Sequence, residues 1–231
     1  MKRLYLIPAR DACNSDCSFC YMKEREPDLS KPQFIDADKM EKIIDGVRGQ
    51  IGEVEITGGG EPLLHPRLGE IISAFGKRNI YVKLYTNGFL LKDLPRVEEV
   101  NISRVHWDSK INNRFYRSPH QNELREVLNH YKSLAKKIRM QIILMKGAID
   151  CQSKALEFIR RYEDRVDIFM FRTLFPKCSL EKDKFVDYFA INHPQAKIDR
   201  TLDSYDRELL FLDSGCALSD KFDYGQPRVR P

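Results

Sequence analysis

Apolar residues follow two alternating periodicities along the chain. Six runs of strand length are rich in branched and aromatic residues, at 4–8, 54–57, 80–85, 102–107, 140–144 and 166–171. Stretches between them repeat apolar residues every three or four positions, as on one face of a helix, at 36–48, 65–78, 123–137 and 153–162. This order predicts an α/β fold in which right-handed crossovers connect parallel strands.

The length and composition suit one compact core. The chain has 231 residues, of which 42% are hydrophobic. No apolar run is long enough to cross a bilayer, and the N-terminal apolar run is too short for a signal peptide. We therefore expect a cytoplasmic protein with reduced thiols and no membrane partner.

Three cysteines lie within eight residues, in the spacing CxxxCxxC. Cys13, Cys17 and Cys20 can bring three thiolates around one iron–sulfur cluster and leave one iron open to a substrate or cofactor. The alternative is a structural zinc loop, but such sites usually close with four ligands, and no His or further Cys is near in sequence. The spacing favours iron–sulfur chemistry over zinc.

A run of three glycines, an acid and a proline follows the second predicted strand, at 58–62. Glycine allows the backbone to approach a ligand closely, so that carbonyl and amide groups become the contacts. An ordinary strand-to-helix turn would explain one glycine but not three beside the carboxylate of Glu61. The run therefore predicts a ligand-binding turn.

Together these two motifs resemble the radical S-adenosylmethionine (radical SAM) superfamily, over about residues 3–175. Segments 84–88, 105–109 and 141–147 are similar to further strand ends of that family. The last is similar to the enzymes that rearrange GTP in molybdenum cofactor synthesis and to peptide-maturing members. The resemblance implies a partial (β/α)6 barrel over residues 1–175, with a short C-terminal extension, 176–231, that covers its open side.

The five motifs share one position relative to the predicted strands, because each follows the end of a strand. In a curved parallel sheet the carboxyl ends of the strands meet at one rim, and functional groups gather there. This placement supports the resemblance independently of the motifs themselves.

The resemblance also implies roles for named residues. Three cysteines, Cys13, Cys17 and Cys20, would ligate a 4Fe-4S cluster whose fourth iron binds the amino nitrogen and carboxylate of S-adenosylmethionine. Aromatic residues that flank the last ligand would lie beside the adenine, namely Phe19 and Tyr21, although Tyr21 equally suits an aromatic residue that packs on the domain. The methionine ammonium would meet Gly59, Gly60 and Glu61. The carboxylate or ribose would meet Asn87, Asp108 and Ser109.

The chemistry implied is reductive cleavage of S-adenosylmethionine to a 5'-deoxyadenosyl radical, which removes a hydrogen atom from the substrate. An external electron donor such as flavodoxin or ferredoxin would supply the electron. The early position of Cys13 and the lack of a cobalamin or RNA-binding appendage predict a minimal core that acts on a small molecule. The alternative is an activase or modifier of a partner protein or peptide. Oxidoreductase, lyase and isomerase outcomes stay open.

Positive charge is concentrated between Arg104 and Arg139, where nine Lys and Arg stand against three Asp and Glu. Within this region Lys110, Arg114 and Arg117 are expected on a loop over the rim, where they could receive phosphate or carboxylate from an anionic or nucleotide-like substrate. A solvated basic face is the alternative.

The tail after residue 173 contains a strand-and-turn segment at 209–218. Its Cys216 is a hydrogen-atom donor, a ligand of a second cofactor, or a buried small residue. Cys151 and Cys178 have no assigned role. A non-enzymatic cysteine-metal module that binds nucleic acid is a less favoured alternative for the whole chain; its binding would depend steeply on salt.

Overall fold

The computed structural model describes residues 2–20, 22, 31–47, 49–173, 196–199 and 209–213. The chain divides into two compact units. The first comprises Met1–Ser103 and Asp108–Ile138, and the second comprises Arg104–Trp107 and Arg139–Pro231. The division predicted near residue 175 stays a prediction.

The described elements alternate between strands and helices along the chain. The strands are β1 (Lys2–Leu6), β2 (Ala9–Arg10), β3 (Gln33–Phe34), β4 (Ile51–Ile56), β5 (Tyr81–Thr86), β6 (Val97–Arg104), β7 (Ala135–Leu144), β8 (Ile168–Thr173), β9 (Ala196–Asp199) and β10 (Leu209–Asp213). The helices are α1 (Ala37–Gly46), α2 (Leu68–Gly76), α3 (Ser109–Tyr116), α4 (Leu124–Leu134) and α5 (Gln152–Tyr162), with a 3-10 turn at Pro62–Leu64. Among these helices none has the length and apolarity needed to span a membrane.

In the first unit the strands β1, β4, β5 and β6 lie side by side in that order, and all are parallel. Strands β2 and β3 form a separate antiparallel pair. In the second unit β7 and β8 are parallel, whereas β10 runs antiparallel to both β8 and β9. The parallel strands with intervening helices are those that the sequence pattern predicts, and the strand expected at 209–218 is β10.

The core of the first unit lies between its parallel strands and their helices. Six even-numbered residues of β4, β5 and β6 are almost fully buried, namely Val54, Ile56, Val82, Leu84, Val100 and Ile102. Helix α2 contributes Leu68, Ile71, Ile72 and Phe75, each at most 1% exposed. Alternate positions of each strand therefore supply one apolar face, and the other positions are free for polar side chains.

Several element boundaries differ from the sequence prediction. The strand predicted at 102–107 is β6, which begins earlier and spans Val97–Arg104. The helix expected at 123–137 ends at Leu134, because Ala135 begins the ten-residue strand β7, in which Ile138, Met140 and Ile142 alternate as buried residues. The prediction that Lys110, Arg114 and Arg117 lie on a loop is wrong. Residues Ser109–Tyr116 form helix α3 instead.

Helix α3 is short and polar, which hides it from a search for apolar periodicity. Its start is fixed by Asp108, whose Oδ1 accepts hydrogen bonds from the backbone N–H groups of Lys110 (2.9 Å) and Ile111 (3.0 Å). Its end is marked by Arg117, which takes the left-handed conformation at φ 49°. The capping residue is the sequence signal that could have revealed this helix.

Candidate functional site

The cysteine loop follows the short strand β2 in the first unit. Cys13 is exposed, while Cys17 and Cys20 are half-buried, and none of the three forms a disulfide bond. The backbone N–H of Cys20 donates to the carbonyl of Cys17 (3.3 Å), so the last two cysteines share one tight turn. Although Cys13 keeps exposed surface, desolvation of its thiol by the surrounding protein atoms, with smaller contributions from the charges of Glu61 and Cys20, raises its pKa to about 11.

Helix α3 holds the cysteine loop through backbone hydrogen bonds. The N–H of Asp16 donates to the carbonyl of Tyr116 (3.0 Å), and the N–H of Ser18 donates to that of Phe115 (2.9 Å). The rings of Phe19 and Tyr116 meet edge to face with centroids 5.1 Å apart. The predicted contact between Phe19 and adenine stays a prediction; in the structure the ring packs on α3.

The glycine turn lies directly against the cysteine loop. The N–H of Asp11 donates to the carbonyl of Gly59 (3.0 Å), and the N–H of Glu61 donates to the carbonyl of Ala12 (2.7 Å). A Cβ on Gly60 would overlap the carbonyl oxygen of Ala12. The absence of a side chain at Gly60 therefore allows two backbone segments to touch, in addition to any ligand contact.

The Glu61 side chain is buried, at 2% exposure, and both of its oxygens accept hydrogen bonds. Its Oε1 accepts from the N–H of Leu63 (3.1 Å) and from Thr86 Oγ1 (2.9 Å). Its Oε2 accepts from the N–H of Asn87 (2.9 Å). This carboxylate joins the glycine turn to the end of β5, and its predicted contact with the methionine ammonium stays a prediction.

Asn87 joins the end of β5 to the cysteine loop. Its Nδ2 donates to Asn14 Oδ1 (2.7 Å), and its Oδ1 accepts from the N–H of Phe89 (3.0 Å). The cysteine loop, the glycine turn and the end of β5 are thus connected by direct hydrogen bonds. The three motifs that sequence analysis assigned to one rim therefore meet in one place.

The remaining predicted cofactor residues begin helix α3. Asp108 caps the helix, and Ser109 Oγ donates to Glu123 Oε1 (2.5 Å). Both side chains have structural partners, and their contacts with the cofactor stay predictions. Tyr21, Cys178 and Cys216 lie outside the described residues.

The basic residues on α3 and at its C-terminal cap are accessible to solvent. Lys110, Arg114 and Arg117 are all exposed. Arg117 Nη1 forms a long ion pair with Asp16 Oδ2 (3.5 Å), where both side chains are more than half exposed. This pair ties α3 to the cysteine loop only weakly, because exposed pairs contribute little. A substrate role for these three residues stays a prediction.

The donor set of the loop fits a 4Fe-4S cluster in number and kind, because three thiols stand in one short loop without a nearby fourth ligand. In the part of the chain that the structure describes, no three His, Cys, Asp or Glu side chains are grouped closely enough to hold a metal ion.

Sequence analysis missed a group of polar residues on β1, β4, β5 and β6, opposite the apolar face. We call it the polar face; it consists of Arg3, Tyr5, Glu53, Glu55, Tyr81, Lys83, Tyr85, Glu99 and Asn101. Strict alternation of charged and apolar residues in β4 and β5 is the signal that could have found it. The apolar residues of β4 and β5 predict the strands, while the polar residues between them predict the opposite face.

The pH dependence of stability should report on Glu61. Burial raises the pKa of this carboxyl from 4.5 to about 7, and the hydrogen bonds from Asn87, Leu63 and Thr86 oppose the rise. Between these two values the native state holds a proton that the unfolded chain has released. Stability should therefore fall as the pH rises through this window, by up to about 1.4 kcal/mol per pH unit from this group.

Urea unfolding of the wild type and Glu61→Gln from pH 4.5 to 7.5 measures this contribution. We expect the decline with pH to be shallower in Glu61→Gln, because the amide does not titrate. Glu70→Gln, an exposed carboxyl on α2, is the matched control and should keep the slope of the wild type. Identical slopes for all three proteins would show that Glu61 does not titrate in this range.

Comparisons with known proteins agree with the motifs. Residues 7–171 match the family model described as the radical SAM superfamily. The GTP 3',8-cyclase of Aquifex aeolicus (strain VF5) is 31% identical over 159 residues, which cover 62% of this chain and 48% of that protein. The chain thus spans about half the length of this curated relative.

Two solved structures have folds similar to that of this chain. TYW1 with a lysine-pyruvate adduct bound matches with a TM-score of 0.61 and 19% identity, over 92% of this chain and 80% of that one. Streptococcus suis SuiB bound to S-adenosylmethionine matches with a TM-score of 0.58 and 20% identity, over 72% of this chain and 39% of that one. At these identities the likeness concerns the fold alone, and it confirms the predicted α/β partial-barrel class.

Proposed function

The chain belongs to the radical SAM superfamily, and from this premise we propose that it removes a hydrogen atom from a small biosynthetic substrate. Membership confirms the prediction of an enzyme whose cofactors are a 4Fe-4S cluster and S-adenosylmethionine. The non-enzymatic module is therefore not retained. When bound, these cofactors supply the electron and the 5'-deoxyadenosyl radical.

The observation that carries the proposal is the direct hydrogen bonding among the three motifs. Cys13, Cys17 and Cys20 would hold the cluster on a loop that the backbone of α3 fixes in place. Gly60 permits the glycine turn to lie against Ala12, one residue before the first cysteine. Such fixed positioning is what the protein contributes when a cofactor carries the difficult chemistry.

Two side chains would hold the three motifs in fixed relative positions, the buried Glu61 and the half-buried Asn87. Glu61 accepts a hydrogen bond from the end of β5, and Asn87 donates to the cysteine loop. Both bonds are partly shielded from solvent, and they connect the motifs without any cofactor. We assign to these residues the positioning of the cysteine loop relative to the glycine turn.

A small molecule is the substrate class that we favour, with an anionic or nucleotide-like compound as its first candidate. A relative that this chain matches over 48% of its length is named a GTP 3',8-cyclase, and the name describes that protein. In this chain Lys110 and Arg114 are exposed on α3, the helix that holds the cysteine loop, and they offer positive charge there. The external electron donor and the cytoplasmic location remain predictions.

The test is anaerobic reconstitution with iron and sulfide, followed by addition of S-adenosylmethionine and dithionite. Mass spectrometry should detect 5'-deoxyadenosine that depends on both the cluster and the reductant. Deuterated candidate substrates should then transfer label into it. A fully loaded cluster that yields none, even with cell-extract metabolites added, would contradict the proposal.

A further inference from the structure

The polar face is unusual for a parallel sheet. Parallel strands are normally covered by helices on both faces and are apolar throughout, and barrel interiors are normally filled by branched aliphatic residues. Here β4 alternates Glu53, Val54, Glu55 and Ile56, and β5 alternates in the same way. One face is thus built for packing, and the other carries charged and hydroxyl groups.

The strand registers place the polar residues in rows across the first unit. One row contains Tyr5, Glu55, Lys83 and Glu99. The row nearer the carboxyl ends of the strands contains Tyr85 beside Asn101. Tyr85 Oη donates to Glu55 Oε2 (3.2 Å), which connects the two rows.

Both cations of the polar face are paired with carboxylates. Arg3 Nε lies 2.6 Å from Glu53 Oε1, and Arg3 Nη1 lies 3.2 Å from Glu55 Oε1. Lys83 Nζ lies 2.9 Å from Glu53 Oε1. The polar face is thus rich in acceptor oxygens, because Glu53, Glu55 and Glu99 all lie on it.

Asn101 adds an acceptor without a partner. The residue is fully buried, and its Nδ2 donates to Glu99 Oε1 (3.0 Å). This bond to a carboxylate fixes the orientation of the amide, because the opposite orientation would place two oxygens together. Within the described ranges no donor reaches Asn101 Oδ1. Buried acceptors normally have a donor, so this oxygen indicates a missing one.

The polar face begins just below the connected motifs. Tyr85 precedes Asn87 by two residues, and Glu55 precedes Gly58 by three. At about 3.3 Å per residue these separations are about 7 Å and about 10 Å along the strands. A molecule bound on the polar face would therefore lie within reach of a radical generated at the motifs above it.

We propose that the polar face binds a substrate group that donates N–H hydrogen bonds, either a protonated amine or an amide. Glu55 and Asn101 Oδ1 are the acceptors. The inference rests on the proposed function, since it places the substrate beside the cofactor. The substrate would therefore carry an N–H donor group, and the basic residues of α3 would contact a different part of the same molecule.

Fragment binding to the holoenzyme tests this inference. The protein is reconstituted, oxidised and saturated with S-adenosylmethionine, so that the ammonium site of the cofactor is already filled. Dissociation constants for n-butylammonium, butyramide and butyrate are then measured by saturation-transfer-difference NMR. We expect the amine and the amide to bind at least about tenfold more tightly than butyrate.

Two variants test whether Asn101 and Glu55 are the acceptors that bind these fragments. Asn101→Leu should weaken both the amine and the amide about tenfold, because both use the same oxygen. Glu55→Gln should weaken the amine about tenfold and leave the amide nearly unchanged, because only the charge is lost. Glu70→Gln, which changes an exposed carboxylate on the outer side of α2 that pairs with Arg67, should match the wild type. Equal cluster content in all four proteins verifies that each is folded.

The inference is overturned if butyrate binds as tightly as the amine, if the amine shows no measurable binding, or if both variants retain the wild-type affinity. Formation of 5'-deoxyadenosine in the same preparations separates this failure from that of the proposed function. Product without amine binding rejects only the polar face as the substrate site. A loaded cluster that gives no product rejects the proposed function.

Discussion

Replacement of Cys17 by alanine is expected to abolish formation of 5'-deoxyadenosine, to the level of a blank without enzyme. Cys17 lies in the middle of the CxxxCxxC loop, and its carbonyl accepts the hydrogen bond that closes the turn with Cys20. If the three cysteines hold the cluster as proposed, loss of the Cys17 thiolate leaves only two ligands for it. We expect the variant to lose most of its iron and sulfide and its visible chromophore after reconstitution.

Cys151→Ala provides the matched control. Cys151 is a half-buried free thiol outside the loop, and its Sγ lies 3.2 Å from Ser153 Oγ. We expect this variant to take up iron and form product like the wild type. Product from Cys17→Ala at the wild-type rate would show that the loop does not hold the catalytic cluster. Equal losses in both variants would indicate a general effect of removing a thiol.

Much of the fold was predictable from local patterns, because buried strands and amphipathic helices leave a periodic signature. The alternation in β7 and the apolar stripe of α2 are examples. Helix α3 was missed because its stability comes from the cap at Asp108 and from contacts with the cysteine loop, and neither has a period. Long-range contacts of this kind override local propensity.

The location of the candidate site was also predictable, since motifs at the carboxyl ends of parallel strands must share a rim. The contacts of individual side chains were not. Glu61 and Asn87 were assigned to the cofactor, yet in the structure they hydrogen-bond to other motifs. A sequence shows that a carboxylate stands beside a glycine turn, but it does not show which donors the fold brings to that carboxylate.

The contact between the glycine turn and the cysteine loop gives the second large prediction. Gly60→Ala should destabilise the protein by at least about 4 kcal/mol and prevent stable cluster binding. The added Cβ would overlap the carbonyl oxygen of Ala12 and would also lie 2.7 Å from the carbonyl oxygen of Ala9. Both obstacles are backbone atoms, so no side chain can rotate away to relieve the overlap.

Gly46→Ala and Gly76→Ala distinguish this overlap from a general effect of removing glycine. Both residues lie in the last turn of a helix, and nothing stands within 4 Å of a Cβ added at either. Alanine is favoured over glycine in a helix, by roughly 0.5–1 kcal/mol, so these variants should be unchanged or slightly stabilised. Thermal unfolding and iron content are the measurements. Wild-type stability in Gly60→Ala would show that the two backbone segments can separate without loss, and that the bonds from α3, Glu61 and Asn87 are enough to hold the loop.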